Sequence, residues 1–178
     1  MLTENAGNFI KSRLLEYRSE LETVLNSGNI SQYNYCECTD DDGERYDRNY
    51  ENRLRISLAL WFMSDGLDVE FLTVTLLNEE IKYLRNAPYG GTSITVYLLL
   101  CKLLEYKKSS FKRLLKSARG ANFDCFCELD IYYIKKFAKR LKDWHNFDFY
   151  IFEWDYVFCQ LDDKEGQEVL KDLNNSKE

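Results

Sequence analysis

Apolar residues at Ile10, Leu14, Tyr17, Leu21 and Val24 step by four, three, four and three, which keeps them on one face of a helix. The spacing predicts a helix over 3–27 that stops at Asn26-Ser27-Gly28, with Gly28 free to take the left-handed cap conformation. Residues 29–49 lose this period; three consecutive aspartates (Asp40, Asp41, Asp42) and Gly43 mark them as a long surface loop. A second helix is expected over 50–64, apolar on nearly every face from Ile56 to Met63 and therefore central and buried. Asp68 is placed to cap a third helix running to about Leu84, with Leu72, Leu76, Leu77 and Leu84 as its inner face. Beyond the turn Ala87-Pro88-Tyr89-Gly90-Gly91, Thr92 or Ser93 caps a helix to about Tyr106. Val96–Cys101 alone would suit a buried strand, but the continuation through Leu103, Leu104 and Tyr106 favours helix by length.

The second half repeats the pattern. Phe111, Leu114, Leu115 and Ala118 follow a cap at Ser109 or Ser110 and end at Gly120; Ile134, Phe137, Ala138 and Leu141 form the stripe of a helix over about 128–142. Residues 150–161 fit a helix better than the strand that Phe147, Phe149 and Ile151 alone would suggest, and a short helix over 165–173 precedes a fraying tail at 174–178. Seven to eight helices with short connections predict one all-α domain over 1–178, either an irregular helical bundle or a short stack of antiparallel helical hairpins. Residues 111–119 and 134–142 echo each other in apolar and basic positions, but no repeat signature extends further.

The 178 residues, 45% apolar and 15% aromatic, suffice for one buried core and exclude wholesale disorder. The longest apolar runs, Leu58–Met63 and Val96–Cys101, are too short to cross a bilayer. The opening MLTENAGNFI has neither a basic nor an apolar leader region, so a cytoplasmic protein with free thiols is expected. Among the six cysteines, Cys101 belongs to an apolar helical run, and the pairs Cys36/Cys38 and Cys125/Cys127 are spaced too tightly for the usual structural zinc site. His145 is the only histidine, which removes multi-histidine metal centres and His-based dyads elsewhere in the chain. No metal or cofactor is expected.

The net charge of −6 hides a segregation. Residues 102–142 carry 12 basic and 4 acidic side chains, whereas the remainder carries 12 basic and 26 acidic. Lys112, Arg113, Lys116 and Arg119 match Lys135, Lys136, Lys139 and Lys142 off the apolar stripes of two helices, and antiparallel packing could merge them into one patch. Such a patch suits the alternative function, a nucleic-acid-associated or scaffold protein using the basic face of residues 102–142. Against it stand the overall negative charge and the absence of interleaved aromatics within the basic rows.

The acidic side points elsewhere. Tyr33, Tyr35, Asp40, Asp41, Asp42, Glu44, Tyr46, Asp47 and Tyr50 crowd one segment, and Asp148, Glu153, Asp155 and Tyr156 belong to a second, 143–158, in which eight of sixteen residues are aromatic. Tyrosine supplies contact area at low rotamer cost and carboxylates steer a cationic partner, so the two segments are expected to bind a basic protein. Other motifs fail. Aligning Gly43 with a calcium loop puts Cys38 and Asn49 at ligand positions; Gly90-Gly91-Thr92-Ser93 lacks a phosphate-loop lysine; Glu79, Glu80 and Lys82 resemble part of a nuclease triad but lie on a helical pattern. No catalytic constellation emerges.

The all-α layout, the acidic tyrosine-rich surface and the turn Ala121-Asn122-Phe123-Asp124 resemble the small helical immunity proteins of bacterial polymorphic-toxin systems. The resemblance implies a cytoplasmic antitoxin that occludes the active site of a basic toxin, with no catalytic residue of its own.

Overall fold

The computed structural model describes residues 2–87, 91–106, 110–143 and 151–175. The fold is all-α. Nine helices stand among the described residues: α1 Leu2–Ser27, α2 Tyr50–Phe62, α3 Glu70–Asn86, α4 Ile94–Glu105, α5 Ser110–Arg119, α6 Phe123–Glu128, α7 Ile131–Asp143, α8 Ile151–Gln160 and α9 Lys164–Asn175. The predicted stripe of α1 is buried at all five positions, Ile10, Leu14, Tyr17, Leu21 and Val24. Gly28 ends the helix at φ 65°, its N–H donating to the Val24 carbonyl at 2.8 Å.

Two helices are apolar on most faces and take the centre. In α4, Ile94–Val96 and Leu98–Leu103 are buried, and α2, α3, α5 and α7 pack around it. In α2, Leu54, Ile56, Leu58, Ala59 and Leu60 are wholly buried between α1, α3 and α4. The Ser93 hydroxyl caps α4 by accepting from the Val96 N–H at 3.1 Å. The tail closes on the other end of the core, where Trp154 packs against Phe62 and Phe158, and Arg13 of α1 pairs with Asp163 at 3.0 Å.

Three boundaries differ from the sequence reading. The long loop is largely ordered: a 3-10 turn at Ser31–Tyr33 leads into an antiparallel hairpin of β1 Glu37–Thr39 and β2 Arg45–Asp47, with Cys38 opposite Tyr46. Helix α3 begins at Glu70, its N-cap position being Val69, so Asp68 lies one residue before the cap. Helix α7 begins at Ile131 behind an Asp130 side chain that accepts from the Tyr132 N–H at 2.8 Å, because α6 already occupies Phe123–Glu128.

The Ala121–Asp124 turn is a clasp. Asn122 caps α6 by accepting from the Cys125 N–H at 2.8 Å, and its amide donates to the carbonyls of Leu84 and Gly91 at 3.1 and 3.0 Å. Asp124 accepts from the Gly91 N–H at 2.6 Å. Two neighbouring side chains thus tie the α5–α6 turn to the connection between α3 and α4.

Candidate functional site

The acidic hairpin is built around its turn. Asp40 accepts the N–H of Gly43 on its carbonyl at 3.1 Å, and its carboxylate accepts the N–H groups of Asp42 and Glu44 at 3.0 and 2.8 Å. Gly43 lies at φ 82°, and the Asp40 N–H donates to the Glu44 carbonyl at 3.0 Å. This is a tight turn followed by a left-handed residue, the usual three-residue hairpin closure. It holds the Asp40, Asp41 and Asp42 carboxylates together in solvent; among the described residues no salt bridge reaches any of them. Glu44 and Tyr46 are also exposed.

At the base of the hairpin the chain does the opposite and buries charge. Asp47 meets Arg53 of α2 at 2.5 Å, and the same guanidinium donates from Nε to Glu80 of α3 at 2.9 Å; all three side chains are inaccessible. The Ser93 hydroxyl donates to the other Glu80 oxygen, and the Arg53 guanidinium lies over the Tyr83 ring at 5.7 Å. Asp47 also accepts the N–H groups of Cys36 and Asn49 at 3.0 Å each. One buried cation therefore joins the hairpin, α2, α3 and the cap of α4. Burial pushes the Glu80 carboxyl up despite the opposing pull of Arg53.

These contacts correct several expected partner residues. Tyr33 is wholly buried, its hydroxyl donating to Glu20 at 2.8 Å, because the 3-10 turn folds its ring under α1 and α2. Asp47 is buried because it balances Arg53. Tyr50 is largely covered, its ring 5.2 Å from that of Tyr83 and its hydroxyl 3.4 Å from Gln160. Tyr35 is half-buried; burial and its 2.6 Å hydrogen bond to Glu37 push the phenol up to about 12. Asp40, Asp41, Asp42, Glu44 and Tyr46 keep the exposure expected of them. In the second segment Tyr156 is exposed, whereas Trp154, Val157 and Phe158 fill the core; Asp148 and His145, and the side chains of Glu153 and Asp155, lie outside the described residues.

Glu79, Glu80 and Lys82 lie on α3, as their helical pattern predicts. Glu80 is committed to Arg53, while Glu79 accepts the Tyr35 N–H at 2.9 Å and pairs with Lys82 at 2.5 Å. Cys101 and Cys125 are buried, and among the described residues no three His, Cys, Asp or Glu side chains cluster as a metal site would. No helix among the described residues is long and apolar enough to cross a membrane.

A second surface escapes the sequence reading. Phe123, Phe126, Ile131, Tyr132 and Tyr133 are all exposed, within eleven positions on α6 and the start of α7. Phe126 and Ile131 line one open groove and Tyr133 lines another. One, of about 470 Å³, has Lys112, Lys116 and Arg119 of α5 facing Phe126 and Ile131. The other, of about 370 Å³, has Lys136 and Arg140 beside Tyr97 and Tyr133. Three of the four basic residues of the α5 row thus line one groove and Lys136 alone of the α7 row lines the other; both grooves are edged by α6, and rings do accompany these cations. The signal was present in the helical template: Ile134, Phe137 and Leu141 complete the inner stripe of α7, leaving Tyr132 and Tyr133 as apolar surplus.

No family model, no curated protein and no solved structure matches the chain.

Proposed function

We propose that this chain is a non-catalytic protein-binding module whose acidic hairpin docks a cationic partner. The observation that carries the reading is the contrast within the hairpin: Asp40–Asp42 stand together without a salt bridge among the described residues, on a strand pair whose base is fixed by the inaccessible Asp47–Arg53–Glu80 network. A rigid anchor lowers the ordering cost of binding, and clustered carboxylates raise the encounter rate with a basic surface. Exposed Tyr46 supplies the ring that charge alone lacks.

In its narrower form the partner is a basic toxin, such as a nuclease, whose active site the module covers as a cytoplasmic immunity protein. Co-expression with the product of the neighbouring reading frame tests this form. Rescue of growth by the wild-type chain, lost on Asp40–Asp42 charge reversal and weakened by Tyr46→Ala, is the expected result. Equal rescue by all three chains rejects the hairpin as the contact.

A further inference from the structure

We infer that the groove between α5, α6 and the start of α7 binds single-stranded nucleic acid, with phosphates on the α5 lysines and a base on Phe126. This surface is separate in sequence and charge from the acidic hairpin, and the inference goes beyond the protein-docking role.

The cations come first. Lys112, Lys116 and Arg119 recur at the i, i+4, i+7 spacing that puts them along one side of α5, and all three line the groove. The row covers about 10 Å of helix axis, enough to follow more than one backbone phosphate. Arg119 is partly engaged, pairing with Asp130 at 4.0 Å and donating to the Phe126 carbonyl at 3.3 Å. Lys112 and Lys116 are exposed and have no ion pair among the described residues.

The ring comes second. Phe126 leaves 59% of its surface in solvent. Its orientation is nevertheless held: the Arg119 guanidinium lies 5.1 Å from the ring centroid, and the Phe126 N–H donates to the Asn122 carbonyl at 3.1 Å. An exposed phenylalanine costs solubility, and here it sits in the wall of a cationic groove rather than alone. Cations that track a backbone beside rings that accept bases are the two parts of a sequence-tolerant single-strand site. An acidic peptide would satisfy the lysines and leave the ring with no planar counterpart. In this groove Phe126 supplies that ring beside the cation row, which favours the polymer whose every unit has both a charge and a π face.

The test is fluorescence anisotropy of the full chain with a labelled oligothymidylate of about 20 nucleotides at about 50 mM salt. Expected are a Kd near or below about 10 µM and a linear fall of log affinity with log salt. Lys112→Glu with Lys116→Glu should flatten that slope by about 1.4, the share of two single-strand phosphate contacts. Phe126→Ala should weaken binding about 5-fold or more while leaving the slope unchanged, because stacking releases no counterions. All three side chains are exposed, so unchanged melting curves confirm that the variants fold. Absence of binding at about 100 µM oligonucleotide overturns the inference. So does a Phe126→Ala chain that binds as tightly as wild type, or polyglutamate competing as well as the oligonucleotide. Adsorption to phosphatidylglycerol vesicles without oligonucleotide binding would overturn it in favour of an anionic lipid surface.

Discussion

Burying Arg53 between Asp47 and Glu80 removes one cation and two carboxylates from water, and their attraction offsets that cost only while all three stay in place. Arg53→Met should therefore destabilise the chain by about 3–5 kcal/mol, read by urea unfolding, because it strands two buried acids. A loss below about 1 kcal/mol would mean the network does not anchor the hairpin. The same site sets a pH dependence. Burial raises the Glu80 carboxyl in the folded chain, so the folded state holds its proton more tightly than the unfolded one. That contribution is complete below the ordinary glutamate range and declines as pH climbs through the raised value. The stability of wild type relative to Glu80→Gln should accordingly decrease from about pH 4.5 upward. An increase over that window would contradict the assigned direction. None of this was legible in the sequence, where Asp47 reads as an exposed partner-binding acid and Glu80 as one member of the helical Glu79, Glu80 and Lys82 group; the pairing depends on three segments converging.

Short elements were the hardest to read. Each hairpin strand has three residues, too few for alternation to register, and the aspartate run suggested a solvated loop although Asp40 and Gly43 carried the turn signal. Helix α6 has six residues and only Cys125 buried, so it leaves no stripe. The long helices, by contrast, were plain from their periodicity, since burial acts on every third or fourth position. Two glycines test the element scale. Gly43→Ala meets no neighbour within 4 Å, so its cost is the left-handed backbone alone, about 1–2 kcal/mol. It should speed hydrogen exchange at the Asp40 amide about tenfold and leave the helical core unchanged. Gly166→Ala has a different outcome. Alanine gains about 1 kcal/mol of helix propensity, but its Cβ would stand 2.6 Å from the buried Phe158 ring. Overpacking of that kind costs about 1–3 kcal/mol, so net destabilisation is expected in thermal melting. A rise in Tm would show that α8 and α9 separate more easily than their contact implies.

Across the whole molecule, a fold centred on α2 and α4 leaves its charges segregated: an acidic hairpin supported by one buried arginine, and basic helices α5 and α7 bordering exposed rings. Segregation of this sort was evident in the sequence count alone, but which aromatics stay outside was not. Tyr33 and Tyr50 went inward, and Phe126 and Tyr132 stayed out, because packing around the two central helices decides exposure. Affinity purification from the native host, comparing wild type with the triple variant Asp40→Lys, Asp41→Lys, Asp42→Lys, addresses the docking role most directly. Wild type should retain a basic protein in stoichiometric amount that the folded triple variant loses. Retention of the same protein by both chains, or of no basic protein by wild type, would contradict the account.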